Sequence, residues 1–142
     1  REHGLVASAR AFDGNPMYHG APGAIVQVED LSELFPDYET IPMFDWVMTL
    51  EVGEHVPPEN EDNFIQNVAS RAKEGIVLSW AVPGQGGIGH YNNKANLYVQ
   101  ARFLEYGFLF DPVESENLRN LPLKYSWFKN TLMVFRRISD NH

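Results

Sequence analysis

Short apolar runs alternate with amphipathic segments along the chain. Three apolar runs come first and predict strands, at residues 5–12, 24–28 and 44–50. Between residues 59 and 73 the apolar positions return every three or four residues, which predicts a helix with one buried face. Residues 75–82 are apolar throughout, as is typical of a strand buried on both faces of a parallel sheet.

The second half of the chain continues this alternation. A glycine-rich segment at 83–90 precedes a predicted helix at 96–106, and strands are predicted at 108–110 and 131–136. A polar, loosely helical stretch lies between these last two strands, around 114–121. The alternation predicts an α/β fold with a mainly parallel sheet, in a single domain over residues 1–142.

The composition excludes several kinds of partner and of functional site. The chain has 142 residues with 19 acidic and 11 basic side chains, a net charge of -8, which argues against nucleic acid as a partner. It has no cysteine, so disulfides, thiolate metal sites and cysteine nucleophiles are excluded. No apolar run approaches the roughly 20 residues of a membrane span, and no signal peptide is visible. We therefore expect a soluble, cytoplasmic protein without a membrane partner.

Acidic residues follow the first three predicted strands: Asp13, Asp30 and Glu51. In open parallel sheets, ligands bind beyond the carboxyl ends of the strands. An acidic side chain there can accept hydrogen bonds from both ribose hydroxyls of a nucleotide-like cofactor, which is the role predicted for Asp13. The alternative is that Asp13, followed by Gly-Asn-Pro, only forms a turn.

Glu51, Glu54 and His55 place three potential metal ligands within five residues, where a strand ends. Carboxylate oxygens together with an imidazole nitrogen suit magnesium, manganese, iron or zinc. If a helix begins near Gly53, Glu54 and His55 lie in its first turn and Glu51 at the end of the strand, so the three side chains could converge on one point. The alternative is that the two glutamates only complement the positive end of the helix dipole. His55 would then be only a packed side chain.

The glycine-rich segment 83–90 ends in a second candidate, His90. No Lys-Ser or Lys-Thr follows the glycines, so the segment does not match a phosphate-binding loop. His90 can serve as a further metal ligand or as a general base, or it can be an exposed loop histidine.

The stretch from Phe44 to Pro57 resembles the fourth-strand motif of class I S-adenosylmethionine-dependent methyltransferases. That motif has an Asp at the start of the strand, hydrophobic residues, then Glu-x-x-Glu-His and often a Pro, as in Asp45, Glu51, Glu54-His55 and Pro57. The resemblance covers essentially all 142 residues. It implies a Rossmann-like three-layer sandwich whose closing antiparallel strand is 131–136.

The resemblance also implies the cofactor and the residues that hold it. The cofactor is S-adenosylmethionine. Asp13 would bind its ribose, the Asp30 side chain and the Leu31 backbone N–H would bind its adenine, and Glu51 would lie between cofactor and metal.

Two subgroups that carry Glu-x-x-Glu-His as metal ligands are similar to this chain, the ubiquinone-pathway O-methyltransferases and the small-RNA 3′-terminal 2′-O-methyltransferases. In the latter, a histidine beyond the fifth strand completes the site. The implied ligands of a divalent metal are Glu51, Glu54, His55 and His90. The last three would also be the catalytic residues that face the acceptor. The implied reaction is methyl transfer to a small-molecule acceptor at a hydroxyl oxygen, since the acidic charge disfavours RNA.

The sequence departs from the family at its beginning. The family starts with a strand, central in the sheet, and a glycine-rich loop, whereas this sequence opens after that unit. We expect an amino-terminally truncated domain whose sheet is completed by a missing amino-terminal segment, by another chain or by a rearrangement. The chain alone should bind the cofactor weakly or not at all. The alternative function is a catalytically inactive, methyltransferase-like fragment that serves as an interaction module. A different nucleotide-binding enzyme is disfavoured by the absence of a phosphate loop.

Overall fold

A computed structural model describes residues 6–18 and 25–139. The chain divides into two compact units, one ending at Leu31 and the other beginning at Ser32. The helix end predicted at residues 1–4 lies outside the described residues. The prediction of a single partial domain stays a prediction.

The first unit contains a two-stranded parallel sheet, made of β1 (Ala11–Asp13) and β2 (Val26–Val28), with a 3-10 turn at Pro16–Tyr18. The predicted strands at 5–12 and 24–28 are therefore too long. β1 is shorter than predicted because only its three residues pair with the three residues of β2, while residues 6–10 are exposed. Arg10 Nη2 donates to Gln27 Oε1 at 2.5 Å and fixes the register of the two strands.

The second unit is a four-stranded sheet with helices. Its elements are β3 (Phe44–Leu50), α1 (Glu61–Arg71), β4 (Ala72–Ser79), α2 (Asn96–Glu105), β5 (Phe108–Asp111), α3 (Pro112–Arg119), α4 (Phe128–Thr131) and β6 (Met133–Arg137). The strand order is β3-β4-β6-β5. β3 and β4 are parallel, and β6 is antiparallel to both β4 and β5. The predicted mainly parallel sheet with one antiparallel strand is confirmed, and that strand lies between β4 and β5.

Apolar side chains of α1 and of the central strands form the core. Phe64 and Ile65 of α1 are buried, as are Ile76 of β4 and Phe135 of β6. The spacing seen in the sequence thus identified the buried face of α1. Among the described residues, no helix is both long enough and apolar enough to cross a membrane.

α1 passes directly into β4, so the strand begins at Ala72 rather than at residue 75 as predicted. The cause is at Arg71, a buried side chain that contacts the backbone of the segment before β3. Its Nε donates to the Ile41 carbonyl at 2.7 Å and its Nη2 to the Pro36 carbonyl at 2.5 Å. These bonds stabilise the end of the helix, and pairing with Phe44 starts at the next residue.

The carboxyl ends of β3, β4 and β5 lie at one edge of the sheet, together with the start of β6. The Glu-x-x-Glu-His segment and the glycine-rich segment follow β3 and β4 there. The stretch before β6 is more helical than predicted, because Asp111 caps α3 and Pro112 occupies its first position. Thr131, predicted as the start of a strand, ends α4 instead.

Candidate functional site

The chain turns sharply where β3 ends. Glu51 has a φ of +53°, in the left-handed region that costs a residue with a side chain about 1–2 kcal/mol. Its backbone N–H contacts both Ser79 Oγ, at 3.0 Å, and the Ser79 carbonyl, at 3.2 Å, at the end of β4. One 3-10 turn, Gly53–His55, follows. The helix expected near Gly53 is therefore only this one turn, and it contains both Glu54 and His55.

Gly53 lets this turn lie flat against Trp80. A methyl group on Gly53 would come within 2.5 Å of the indole ring, so any side chain there would displace it. Trp80 is buried and its Nε1 donates to the Asn92 carbonyl at 2.7 Å. The close contact buries Glu54, the next residue in the turn.

Glu54 is a fully buried carboxylate, and neither of its oxygens has a hydrogen-bond partner among the described residues. Burial raises the pKa of Glu54 above its ordinary value, and the negative charge of Glu51 raises it further. The backbone N–H groups of Glu54 and Ala81 partly offset this, although neither reaches hydrogen-bond geometry. Buried polar atoms are almost always bonded in native proteins, so the absence of a partner among the described residues makes Glu54 a candidate functional residue.

His90 faces Glu54 from the glycine-rich segment. Its Nδ1 lies 3.2 Å from the Gln85 carbonyl oxygen, which can only accept a hydrogen bond. In the neutral ring the proton is therefore assigned to Nδ1, which leaves the Nε2 lone pair free. Nε2 lies 4.0 Å from Glu54 Oε1. Two acceptor atoms thus face each other across a gap that is too long for a direct hydrogen bond.

His55 completes the cluster from the exposed side. The His55 and His90 rings meet edge to face, with centroids 5.0 Å apart. One ligand atom from each of Glu54, His55 and His90 can be chosen so that all three lie within 4.8 Å of one another. A zinc–ligand distance of about 2.0–2.2 Å lets two ligands of one ion lie at most roughly 4.4 Å apart, so small side-chain shifts would suffice. One carboxylate and two imidazoles are a donor set that suits zinc or iron.

The backbone around His90 is tied to Glu54 itself. The Glu54 carbonyl accepts from the N–H of Tyr91 at 2.9 Å and from that of Asn92 at 3.0 Å. Gly89 has a φ of +76°, and a methyl group there would lie 3.1 Å from His55 Nδ1. A glycine at this position therefore lets the backbone pass close to the His55 ring.

Glu61, which the sequence analysis did not identify, anchors the other end of this segment. It is 5% exposed and its Oε2 accepts from Asn92 Nδ2 at 2.8 Å. Its charge is balanced by Lys94 at 3.7 Å and Arg102 at 3.6 Å. A glutamate in the first turn of a helix is ordinary, so no local signal could have revealed this contact between distant parts of the chain.

The structure brings together Glu54, His55 and His90 of the four predicted metal ligands. The Glu51 carboxylate points elsewhere. Its Oε1 accepts from Gln85 Nε2 at 2.6 Å and its Oε2 from Ser79 Oγ at 3.2 Å.

The predicted cofactor residues Asp13, Asp30 and Leu31 belong to the first unit. Asp13 is exposed, and its Oδ1 accepts from the backbone N–H of Asn15 at 2.8 Å, so it does form a turn. Asp30 is also exposed and lies two residues after the end of β2. Their roles in binding a cofactor stay predictions.

Comparisons with known proteins define the fold. No protein-family model matches the chain, and no curated protein matches it by sequence. Among solved structures, magnesium protoporphyrin IX methyltransferase (ChlM) from Synechocystis PCC 6803, with bound S-adenosylhomocysteine, is similar at a TM-score of 0.52. Its sequence identity is 20%, over 84% of this chain and 54% of that one.

Two structures from Burkholderia thailandensis are also similar. The 1,6-didemethyltoxoflavin-N1-methyltransferase, with bound 1,6-didemethyltoxoflavin and S-adenosylhomocysteine, has a TM-score of 0.55 and 14% identity, over 92% of this chain and 61% of that one. An O-methyltransferase family protein has a TM-score of 0.53 and 9% identity, over 89% of this chain and 40% of that one. This chain thus spans about half the length of the methyltransferases it matches, and it has the Rossmann-like α/β fold of class I methyltransferases.

Proposed function

We propose that the protein transfers a methyl group from S-adenosylmethionine to a hydroxyl oxygen of a small-molecule acceptor. The observation that carries the proposal is the buried Glu54 carboxylate facing His90, at the carboxyl edge of a methyltransferase-like sheet. The similar structures support the cofactor, because two of them contain S-adenosylhomocysteine, the product of methyl transfer. Small molecules are named as acceptors in both of these proteins, and the net charge of -8 also favours such a substrate. The cytoplasmic location of the protein stays a prediction.

The first unit would supply the binding site for the nucleoside part of the cofactor. Asp13 would accept hydrogen bonds from the ribose hydroxyls, and Asp30 with the Leu31 backbone N–H would bind the adenine. Both acidic side chains are exposed and follow strand ends, which leaves them accessible to a ligand.

Glu54, His55 and His90 would hold a divalent metal. Three features of this chain fit that role: a buried carboxylate without a donor, an imidazole whose free lone pair faces it, and a second imidazole at the surface. When bound, a divalent metal would lower the pKa of the acceptor hydroxyl and so favour its attack on the methyl group.

The chemistry is a single displacement. The acceptor oxygen forms a bond to the methyl carbon while the bond from that carbon to the sulfonium sulfur breaks, which yields S-adenosylhomocysteine. The hydroxyl proton must leave. With both imidazoles on the metal, neither has a lone pair for this proton, so it would pass to the solvent on the exposed side of the site, where His55 lies. In the metal-free site, His55 would instead accept the proton as a general base. Buried Glu54 would keep its position and charge beside the two imidazoles.

Calorimetric titration with S-adenosylhomocysteine tests the cofactor assignment, both on this chain and on the longest natural product of its gene that contains it. Asp13→Ala should weaken binding about 10- to 100-fold, the loss expected when hydrogen bonds to a charged group are removed. Asp45→Ala is the matched control, since Asp45 is an exposed acid at the opposite end of β3. Absence of binding by the longer product would refute the enzyme proposal and favour an interaction module.

Elemental analysis after equilibration with Zn²⁺ or Mn²⁺ tests the metal site. Wild type should retain about one ion per chain, and Glu54→Ala should retain none. Glu59→Ala is a control in the same segment. Equal metal content in the wild type and Glu54→Ala would remove the metal from the proposal and leave the cofactor assignment to the titration.

A further inference from the structure

Glu51 combines a strained backbone with a fully engaged side chain. The residue has a φ of +53°, a backbone angle that residues other than glycine rarely adopt. Such outliers persist only where surrounding contacts support them, and they are concentrated at functional sites. Here the support comes from Ser79, which contacts both the backbone N–H and the carboxylate of Glu51.

The second partner of Glu51 leads to His90. Gln85 Nε2 donates to Glu51 Oε1 at 2.6 Å, and the backbone carbonyl of the same Gln85 accepts from His90 Nδ1 at 3.2 Å. Asn93 Nδ2 donates to that carbonyl as well, at 2.9 Å. Gln85 therefore connects the end of β3 to the ring that faces Glu54.

Other hydrogen bonds also hold this part of the chain: the Gln85 N–H donates to the Val82 carbonyl at 3.0 Å, and Asn93 Nδ2 donates to the same carbonyl at 3.0 Å. The glycines beside Gln85 add no packing. A methyl group added at Gly84 or at Gly86, on either side of Gln85, would meet no atom within 4 Å. Glycine also has the largest conformational entropy to lose on ordering. The Gln85 side chain therefore links this segment to the end of β3, and the glycines on either side allow the segment to shift when that link is lost.

We infer that Glu51 is a positioning residue and not a metal ligand. Through Gln85 it orients His90, so that Nδ1 carries the proton and the Nε2 lone pair faces Glu54. The inference rests on the proposed function for its biological meaning, but the orientation of the ring is a property of the metal-free protein. Partners of this kind, beyond the ligands themselves, typically change metal affinity 10- to 100-fold when removed.

Three variants separate positioning from ligation. Glu51→Gln keeps an oxygen that can accept from Gln85 and an amide that can donate to Ser79 Oγ, but it removes the negative charge that makes a carboxylate a strong Zn²⁺ ligand. Glu51→Ala removes both functions. Gln85→Leu removes the connection while it leaves Glu51 intact, and Gln66→Leu on the exposed side of α1 is its matched control.

The first measurement is the tautomer of His90 in the metal-free protein, from the ¹⁵N shifts of the imidazole, assigned by their loss in His90→Ala. Nδ1 should be protonated in wild type, Glu51→Gln and Gln66→Leu. Both tautomers should be populated in Glu51→Ala and Gln85→Leu. A uniform Nδ1–H tautomer in all of these proteins would overturn the inference, whether or not the chain binds a metal.

The second measurement is Zn²⁺ affinity by calorimetry. Glu51→Gln should bind Zn²⁺ within about threefold of wild type, while Glu51→Ala and Gln85→Leu should bind it 10- to 100-fold more weakly. If Glu51 were a ligand, Glu51→Gln would lose affinity and Gln85→Leu would retain it, which refutes positioning. If wild type binds no Zn²⁺, the metal proposal fails, and the tautomer result alone decides the role of Glu51.

Discussion

Replacing Glu54 by Gln should stabilise the metal-free protein. The carboxylate is buried and lacks a hydrogen-bond partner among the described residues, so its ionised form is costly to keep in the folded state. Gln has nearly the same shape and no charge. Its amide oxygen can occupy the position that the backbone N–H groups of Glu54 and Ala81 face.

The size of the effect follows from the burial. Leaving a polar group buried and unbonded costs about 1–3 kcal/mol, and a charge costs more. We therefore expect Glu54→Gln to gain roughly 1–3 kcal/mol at pH 8. For a chain of this length the gain corresponds to about 3–12 °C in melting temperature.

The effect should depend on pH with a definite sign. Burial raises the pKa of Glu54 above its ordinary value of 4.5. Compared with an unburied carboxyl, Glu54 favours the folded state most below pH 4.5, where the group is protonated in both the folded and the unfolded chain. That contribution is lost as the pH rises through the raised pKa. Wild type should therefore lose stability over this range, and Glu54→Gln should not.

Metal should reverse the order of the two proteins. At 1,000 times its dissociation constant, Zn²⁺ would stabilise wild type by about 4.1 kcal/mol and should leave Glu54→Gln unchanged. Thermal unfolding followed by circular dichroism between pH 4 and 8, with and without Zn²⁺, measures both effects. A Glu54→Gln protein that is no more stable than wild type at pH 8 without metal would refute the reasoning from burial.

Three further substitutions test other parts of the structure. Gly53→Ala would place a methyl group against the Trp80 ring and should cost about 1–3 kcal/mol in urea unfolding, with reduced Zn²⁺ binding; unchanged stability would contradict the close contact. Phe64→Ala in the core should cost about 3–5 kcal/mol, and a cost below 1 kcal/mol would mean that the α1 face is not buried. Asp111→Ala removes the cap of α3 and should cost about 1 kcal/mol at pH 7. The hydrogen bond from the Glu114 N–H and the nearby Arg136 lower the pKa of Asp111 below 3.8, so Asp111 stabilises the fold above pH 3.8 and this stabilisation is lost as the pH falls further. The stabilities of wild type and Asp111→Ala should therefore become equal in acid, and a difference that persists there would contradict the prediction.

The sequence predicted the parts of the fold that depend on local pattern. β3 has the predicted bounds because polar residues limit a clear apolar run, and α1 follows its helical spacing. β1 was predicted too long, because the extent of a strand depends on a partner that its own sequence does not reveal. α4 was missed, since four residues carry too little periodicity to identify a helix.

The candidate site could be predicted in type but not in arrangement. The spacing of Glu54 and His55 together with the later His90 indicated a mixed carboxylate and imidazole cluster, and the structure brings these three together. The direction of the Glu51 side chain could not be predicted, because it depends on a left-handed backbone and on Ser79, 28 residues away. Glu61 was missed for the same reason, since its partner Asn92 is 31 residues away.

The position of β6 in the sheet has a consequence for folding during synthesis. β4 is central, and its second edge pairs only with β6, as Leu78 with Met133 and Gly75 with Arg136. Arg137 adds hydrogen bonds to the Ala72 and Lys73 carbonyls. At about 5–20 residues per second, the 53 residues between Ser79 and Met133 take about 3–11 s to make. For that time β4, whose Ile76 and Leu78 are buried in the folded protein, has an open edge. This interval is when aggregation or chaperone binding should compete with folding.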